Sequence, residues 1–212
     1  MMNGLYELFN TLLTAYGKRN WWPAKTPFEM MVGAILTQNT TWTNVEKALA
    51  NLGDRLSPTF IAGVKLDELA QIIRSSGYYN QKAIKLKALT QWYENYGYNI
   101  EKAAKIDGEI LRTELLSVKG VGRETADSIL LYALNKPFFV IDTYTKRILY
   151  RIGYDIPDTY DGLRLKIEEN LPRDVPLYGE FHGLIVEHAK RHCTKKPSCE
   201  GCPAEAVCQK RI

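Results

Sequence analysis

Apolar residues recur along this chain at helical spacing and almost nowhere alternate. Phe28, Met31, Val32, Ile35 and Leu36 fall at i, i+3, i+4, i+7 and i+8, and Ala126, Ile129, Leu130, Ala133 and Leu134 repeat that spacing. Each set predicts an apolar stripe along one face of a core helix. Further helices are expected over residues 44–52, 66–75, 81–96, 110–117, 143–152, 162–170 and 178–192, separated by Gly, Pro and Asn. No segment alternates strongly enough to predict a strand, so the expected fold class is all-α. The chain has no low-complexity linker and no internal repeat, so any division into lobes must come from the chain doubling back.

Composition adds little to this picture. With 212 residues and 45% hydrophobic content the chain can bury a core as one body or two small lobes. No apolar run approaches membrane-spanning length, and no N-terminal apolar stretch with a cleavage site marks it for export. A soluble cytoplasmic protein with no membrane partner is therefore expected. The net charge of +4 permits nucleic-acid binding without requiring it.

The cysteines change the picture. All four lie in the last twenty residues, as Cys193-x5-Cys199-x2-Cys202-x5-Cys208. Structural zinc sites usually take two short ligand pairs, whereas here one C-x2-C pair has wider gaps on both sides, which points to a [4Fe-4S] cluster with zinc as the alternative. A disulfide framework does not suit a chain without an export signal.

Two further segments carry candidate chemistry. In Ser117-Val118-Lys119-Gly120-Val121-Gly122-Arg123-Glu124 a helix ends, turns through two glycines around an apolar valine, and a new helix begins. Glycines let the backbone approach a phosphate, and the N–H groups at the second helix's start offer donors in the positive field of its dipole. The alternative is an ordinary helix-to-helix turn. About twenty residues on, the apolar run Phe138-Phe139-Val140-Ile141 delivers Asp142 to the start of another helix. Asp142 reads either as an N-cap or as a carboxylate held in a partly desolvated cleft to stabilise positive charge, and both can hold together.

Hairpin, aspartate and four-cysteine tail in this order resemble the endonuclease III or HhH-GPD superfamily of DNA glycosylases, over nearly the whole chain. The resemblance implies a two-lobed, all-helical helix-hairpin-helix fold with a C-terminal [4Fe-4S] loop. Residues 21–135 would form a six-helix barrel domain that includes the hairpin, and residues 1–20 with 136–212 an N-/C-terminal helical domain with the cluster loop. The expected partner is double-stranded DNA containing a damaged base, bound by a monomer associated with the nucleoid. A five-residue gap between the first two cysteines, where the family usually has six, departs from the pattern.

The resemblance also assigns residues. Ala34-Ile35-Leu36-Thr37-Gln38-Asn39-Thr40 looks like the segment whose glutamine enters the duplex, and Gly77-Tyr78-Tyr79-Asn80-Gln81-Lys82-Ala83 like the loop that wedges between bases, so Gln38 is the plug candidate and Tyr78 the wedge. Lys119, Gly120, Val121, Gly122 and Arg123 would grip the DNA backbone, and Asp142 would stabilise the oxocarbenium character that develops as the N-glycosidic bond breaks. Members that cut the strand through a Schiff base carry a lysine after the hairpin arginine. Here that position is Glu124, which cannot form an imine, so a monofunctional glycosylase is expected.

Asn20-Trp21-Trp22-Pro23 and Thr37-Gln38-Asn39-Thr40-Thr41-Trp42 resemble the 3-methyladenine glycosylases of this superfamily, which implies a base pocket of Trp21, Trp22, Pro23 and Trp42. Electron-rich rings suit a cationic alkylated purine. Core packing is the alternative for the three tryptophans. Some alkylpurine members have lost the cluster, whereas this chain keeps all four cysteines; the cluster would fold the tail so that Lys195, Lys196, Lys210 and Arg211 lie near DNA. Rival functions are an endonuclease III-like glycosylase and AP lyase for oxidised pyrimidines or mismatched thymine or uracil, and a noncatalytic iron-sulfur DNA-binding protein.

Overall fold

The structure is a computed structural model that describes residues 4–212. The chain divides into two compact units, one formed by the residues up to Trp22 together with Pro137–Ile212, the other by Pro23–Lys136. Helix α1 (Leu5–Tyr16) belongs to the first unit. The second holds α2 (Pro27–Leu36), α3 (Trp42–Leu52), α4 (Pro58–Gly63), α5 (Leu66–Ile72), α6 (Tyr79–Glu94), α7 (Ile100–Ala104), α8 (Gly108–Ser117) and α9 (Arg123–Tyr132). The chain then returns to the first unit with α10 (Thr143–Ile152), α11 (Tyr160–Glu168), α12 (Val175–Arg191) and the cysteine-bearing tail. There is no strand among the described residues.

In the second unit α2 is the central rod. Thr26 caps it through a hydrogen bond from Glu29 N–H, Pro27 begins it, and every residue from Met30 to Leu36 is buried. The periodic pattern predicts one apolar face, but Met30, Gly33 and Ala34 are buried too, because α3, α6 and α9 pack around the helix. A helix apolar on all sides belongs in a core. Its last carbonyl is satisfied by Lys82 of α6, which is buried and donates from Nζ to Leu36 O at 2.8 Å and Ser76 O at 2.7 Å. That contact fixes where α2 ends, one residue before Thr37-Gln38.

Helices α8 and α9 are joined by a buried ion pair. Arg112 Nε lies 2.6 Å from Asp127 Oδ1 and Nη2 lies 3.3 Å from Oδ2, a forked geometry with the carboxylate fully buried. Glu114 of α8 also receives Trp92 Nε1–H at 2.9 Å and Tyr96 O–H at 2.6 Å from the α6 side.

In the first unit α12 packs against α1 and α10. Its buried residues include Tyr178, Phe181, His182, Gly183, Leu184 and Ile185. Phe181 meets the edge of Phe9 at 5.7 Å and of Phe139 at 5.8 Å. The run Phe138–Ile141 is buried but forms no helix or strand; it is an extended segment that feeds α10.

Helix positions differ from the sequence expectation mainly at ends. The 66–75 segment stops at Ile72 and closes with a short 3-10 turn at Arg74–Ser76, and the 81–96 helix begins earlier, at Tyr79. Three helices lie outside the predicted segments. For α1 the signal was present, since Leu5, Leu8, Phe9 and Leu12 are its buried stripe; α4 and α7 have six and five residues, too short to show a period.

Candidate functional site

The hairpin is built as a buried valine inside an exposed polar turn. Val121 is buried, whereas Lys119, Gly120, Gly122 and Arg123 are exposed. Gly120 has φ +86°, a conformation that disfavours any side chain, and Val121 N–H bonds to Val118 O at 3.0 Å to close the turn. Gly122 then starts α9 with no side chain capping it, which leaves the helix start open to an anion.

Gln38 lies two residues beyond α2 and its amide reaches the same hairpin. Nε2 donates to Gly120 O at 3.1 Å and to Thr125 Oγ1 at 3.0 Å, while Lys85 Nζ donates to Oε1 at 2.6 Å. Tyr78 sits at φ +47° at the start of α6 with 71% of its surface exposed. An exposed tyrosine held in the left-handed region is strained. Trp42 begins α3 and donates from Nε1 to Glu46 at 3.0 Å.

In the first unit Asp142 divides its two oxygens. Oδ1 caps α10, accepting Thr145 N–H at 2.7 Å and Thr145 O–H at 2.9 Å, while Oδ2 faces His182 Nε2 at 3.6 Å. Burial pushes the carboxyl up, but His182 and the Thr145 donors outweigh it and hold Asp142 below its ordinary range. The group is thus an ionised carboxylate with little water around it. Cap and desolvated carboxylate are the same residue.

His182 also meets Trp21, edge to face at 6.3 Å. Trp21 is pressed on α12 so closely that a Cβ at Gly183 would stand 2.6 Å from Trp21 Cβ. The Glu180 carboxylate fixes the approach, accepting N–H from Arg19 and, at 3.3 Å, from Asn20. Asn20 and Trp22 both take positive φ, +47° and +72°, in a segment without helix or turn, while Pro23 is exposed. Lys190 Nζ lies 5.6 Å from the Trp21 ring. Gly183→Ala is expected to displace Trp21 and destabilise the protein by about 1–3 kcal/mol, read by urea denaturation.

Residues 32–173 match the family described as HhH-GPD superfamily base excision DNA repair protein. The chain belongs to that family. A protein of Methanocaldococcus jannaschii, provisionally named a DNA repair glycosylase, is 50% identical over 96% of this chain and 95% of its own length. Endonuclease III of Thermotoga maritima is 31% identical over 86% of this chain and 83% of its own. Among solved structures, the 3-methyladenine DNA glycosylase of H. pylori bound to 1,N6-ethenoadenine is 32% identical with a TM-score of 0.78, covering 88% of this chain and 97% of that one. This HhH-GPD protein is accordingly a DNA glycosylase of base excision repair. Among its described residues no helix is long and apolar enough to cross a membrane.

The four cysteines of this HhH-GPD chain are half-buried free thiols that all line one cavity, together with Ile148, Arg151, His188 and Pro197. Among the described residues no three His, Cys, Asp or Glu side chains meet closely enough to hold a single ion. Polar groups surround the sulfurs: Arg151 Nη1 donates to Cys193 Sγ at 3.4 Å and Lys210 N–H to Cys208 Sγ at 3.4 Å, and His188 Nε2 lies 3.8 Å from Cys202 Sγ. Burial and the neighbouring sulfurs push the Cys202 thiol up. Of the basic residues assigned to DNA, Lys195 and Lys196 are exposed, but Lys210 pairs with Glu205 at 2.8 Å and Arg211 with Asp155 at 3.4 Å.

The sequence alone does not single out Glu180 or Lys85, and it presents His182 only within His182-Gly183-Leu184-Ile185, which with Arg191 and Cys193 resembles the family's approach to its cluster and implies no role beside Asp142. His182 lies forty residues from Asp142, and only the packing of α10 on α12 brings them together. The one signal in the sequence is a buried-pattern histidine next to glycine on an otherwise apolar helix face.

Proposed function

We propose that this glycosylase removes alkylated purines such as 3-methyladenine, by hydrolysis and without cutting the strand. The observation that carries the hydrolytic step is the Asp142 carboxylate. It is ionised, desolvated and fixed by Thr145 on one oxygen, so the negative charge needs no reorganisation as positive charge develops on the deoxyribose. Asp142 stabilises that charge and orients the attacking water. Gln38 fills the space left by the extruded base and Tyr78 wedges the opposite strand. Lys119, Gly120, Val121, Gly122 and Arg123 hold the backbone.

The substrate assignment is supported by the tryptophan pair that Glu180 and Gly183 hold in place, and by 32% identity to a glycosylase bound to an ethenoadenine. Trp21, Trp22, Pro23 and Trp42 are the residues assigned to the base. With Lys190 already beside the Trp21 ring, that tryptophan contributes stacking area more than attraction for a cation.

Monofunctionality rests on Glu124, which occupies the exposed position after Arg123 at the start of α9. Lys119 and Lys146 are exposed lysines near the candidate groups. Abasic duplex should therefore stay intact until treated with alkali; strong strand cleavage lost in Lys119→Ala or Lys146→Ala would reverse this assignment.

The four cysteines suit a [4Fe-4S] cluster better than zinc, because their spacing, one C-x2-C pair with wider gaps on both sides, lacks the two short ligand pairs usual for structural zinc, and all four line one cavity. Bound there, it would tie the tail into a fixed loop, and Arg151, Lys210 N–H and His188 would surround the thiolates. The purified protein should be brown and contain iron and acid-labile sulfide in equal amounts; zinc without iron would contradict the assignment. The substrate is tested by chromatography of bases released from methylated duplex DNA, beside duplexes bearing an oxidised pyrimidine or a T·G mismatch. Release of 3-methyladenine alone is expected, whereas activity confined to the other two would assign the protein to pyrimidines.

A further inference from the structure

The side-chain amide of Gln38 is committed to the protein on both sides. Lys85 donates to its oxygen, and its nitrogen donates to Gly120 O and Thr125 Oγ1. The orientation follows from the partners: an ammonium only donates and a backbone carbonyl only accepts, so oxygen faces Lys85 and nitrogen faces Gly120. Both amide protons are in use. A glutamine held in this way must exchange these bonds before it can enter a duplex.

Lys85 reaches Gln38 by passing over the hairpin. A Cβ built on Gly120 would stand 2.3, 2.6 and 2.7 Å from Cγ, Cδ and Cε of Lys85, so the lysine stem lies on the bare Cα of the turn. Gly120 therefore serves two ends, the left-handed turn itself and a bed for this side chain. One cation thereby touches both the turn that opens α9 to an anion and the side chain assigned as the plug. Lys82, one turn earlier on α6, anchors the end of α2 and so fixes the distance that Lys85 spans.

We propose that Lys85 couples phosphate capture by the hairpin to release of Gln38. In DNA-free protein its ammonium holds Gln38 folded onto the hairpin. When a DNA phosphate docks at the turn, the ammonium exchanges a neutral amide oxygen for a charged phosphate oxygen, the stronger acceptor, and the glutamine loses this charged donor. The plug is then freed where the backbone is already gripped. Lys85 is a positioning residue in this scheme, which rests on the reading of Gln38 as the plug.

The test uses the full chain and a duplex carrying a tetrahydrofuran abasic analogue opposite 2-aminopurine, so that no lesion identity is assumed. Lys85→Met keeps the stem over Gly120 and removes the charge; Lys85→Arg restores the charge. Lys85→Met should bind more weakly at low salt, with the slope of log affinity against log salt shallower by about one, and Lys85→Arg should recover the slope. In DNA-free Lys85→Met the Gln38 side-chain amide resonances should move toward those of a solvated glutamine. Gln38→Ala should diminish the 2-aminopurine response, and adding Lys85→Met to it should diminish that response no further. A normal response in Gln38→Ala overturns the plug reading and the coupling with it. A diminished response combined with an unchanged salt slope, or with additive effects in the double variant, overturns the coupling alone.

Discussion

Asp142→Asn should release base about 10²–10³-fold more slowly than the parent protein while binding an abasic-analogue duplex equally well. Asparagine keeps an oxygen that can accept Thr145 N–H, so the start of α10 survives and only the charge is lost. Single-turnover kinetics beside equilibrium binding separate the two effects. A parallel loss of binding would assign Asp142 to DNA contact instead. The acid side of the pH profile is a second readout. Asp142 is held below its ordinary range, so its ionised form, and the stability it contributes, persist from neutral pH down and fade only as pH falls through the depressed folded value. His182→Gln removes one lowering cause and leaves burial, which raises. Its acid limb should therefore move to higher pH, while a His182 that only fills space would leave the limb in place.

Asp127→Ala should cost about 3–5 kcal/mol, because it leaves the Arg112 guanidinium buried with its carboxylate removed. For a chain of this size that corresponds to a fall in melting temperature of roughly 10 °C. Replacing both partners by apolar residues of similar volume should recover most of the loss, since the cost lies in keeping Arg112 buried without this carboxylate. The pair clamps α8 to α9, so the single variant should also weaken DNA binding at temperatures where it remains folded. Calorimetry of the two variants decides between a specific clamp and simple packing.

The sequence carried some features openly and others not at all. α10 lies where its pattern places it, since Asp142 and Gly153 punctuate both ends and its apolar residues repeat at helical spacing. α2 was legible as a helix but not as the centre of its unit, because burial on all sides depends on which helices surround it. Gly120 was legible as a turn glycine; its second task, making room for Lys85, depends on α6 passing beside a turn 35 residues further along the sequence. Trp21 and Trp22 were visible as an unusual pair, but the Glu180 carboxylate and Gly183 that hold the segment lie on α12. Asp142 shows the same limit within one residue. Its capping oxygen is a local property of the sequence, and the oxygen facing His182 is not.

The most direct measurement is a single-turnover time course on an end-labelled duplex with one alkylated adenine, each time point split between neutral and alkaline workup. The expected result is free base accumulating with strands that break only after alkali, and release slowed about 10²–10³-fold in Asp142→Asn. Strand breaks under neutral conditions, or base release at the parent rate in Asp142→Asn, would contradict hydrolysis by an Asp142-centred monofunctional glycosylase.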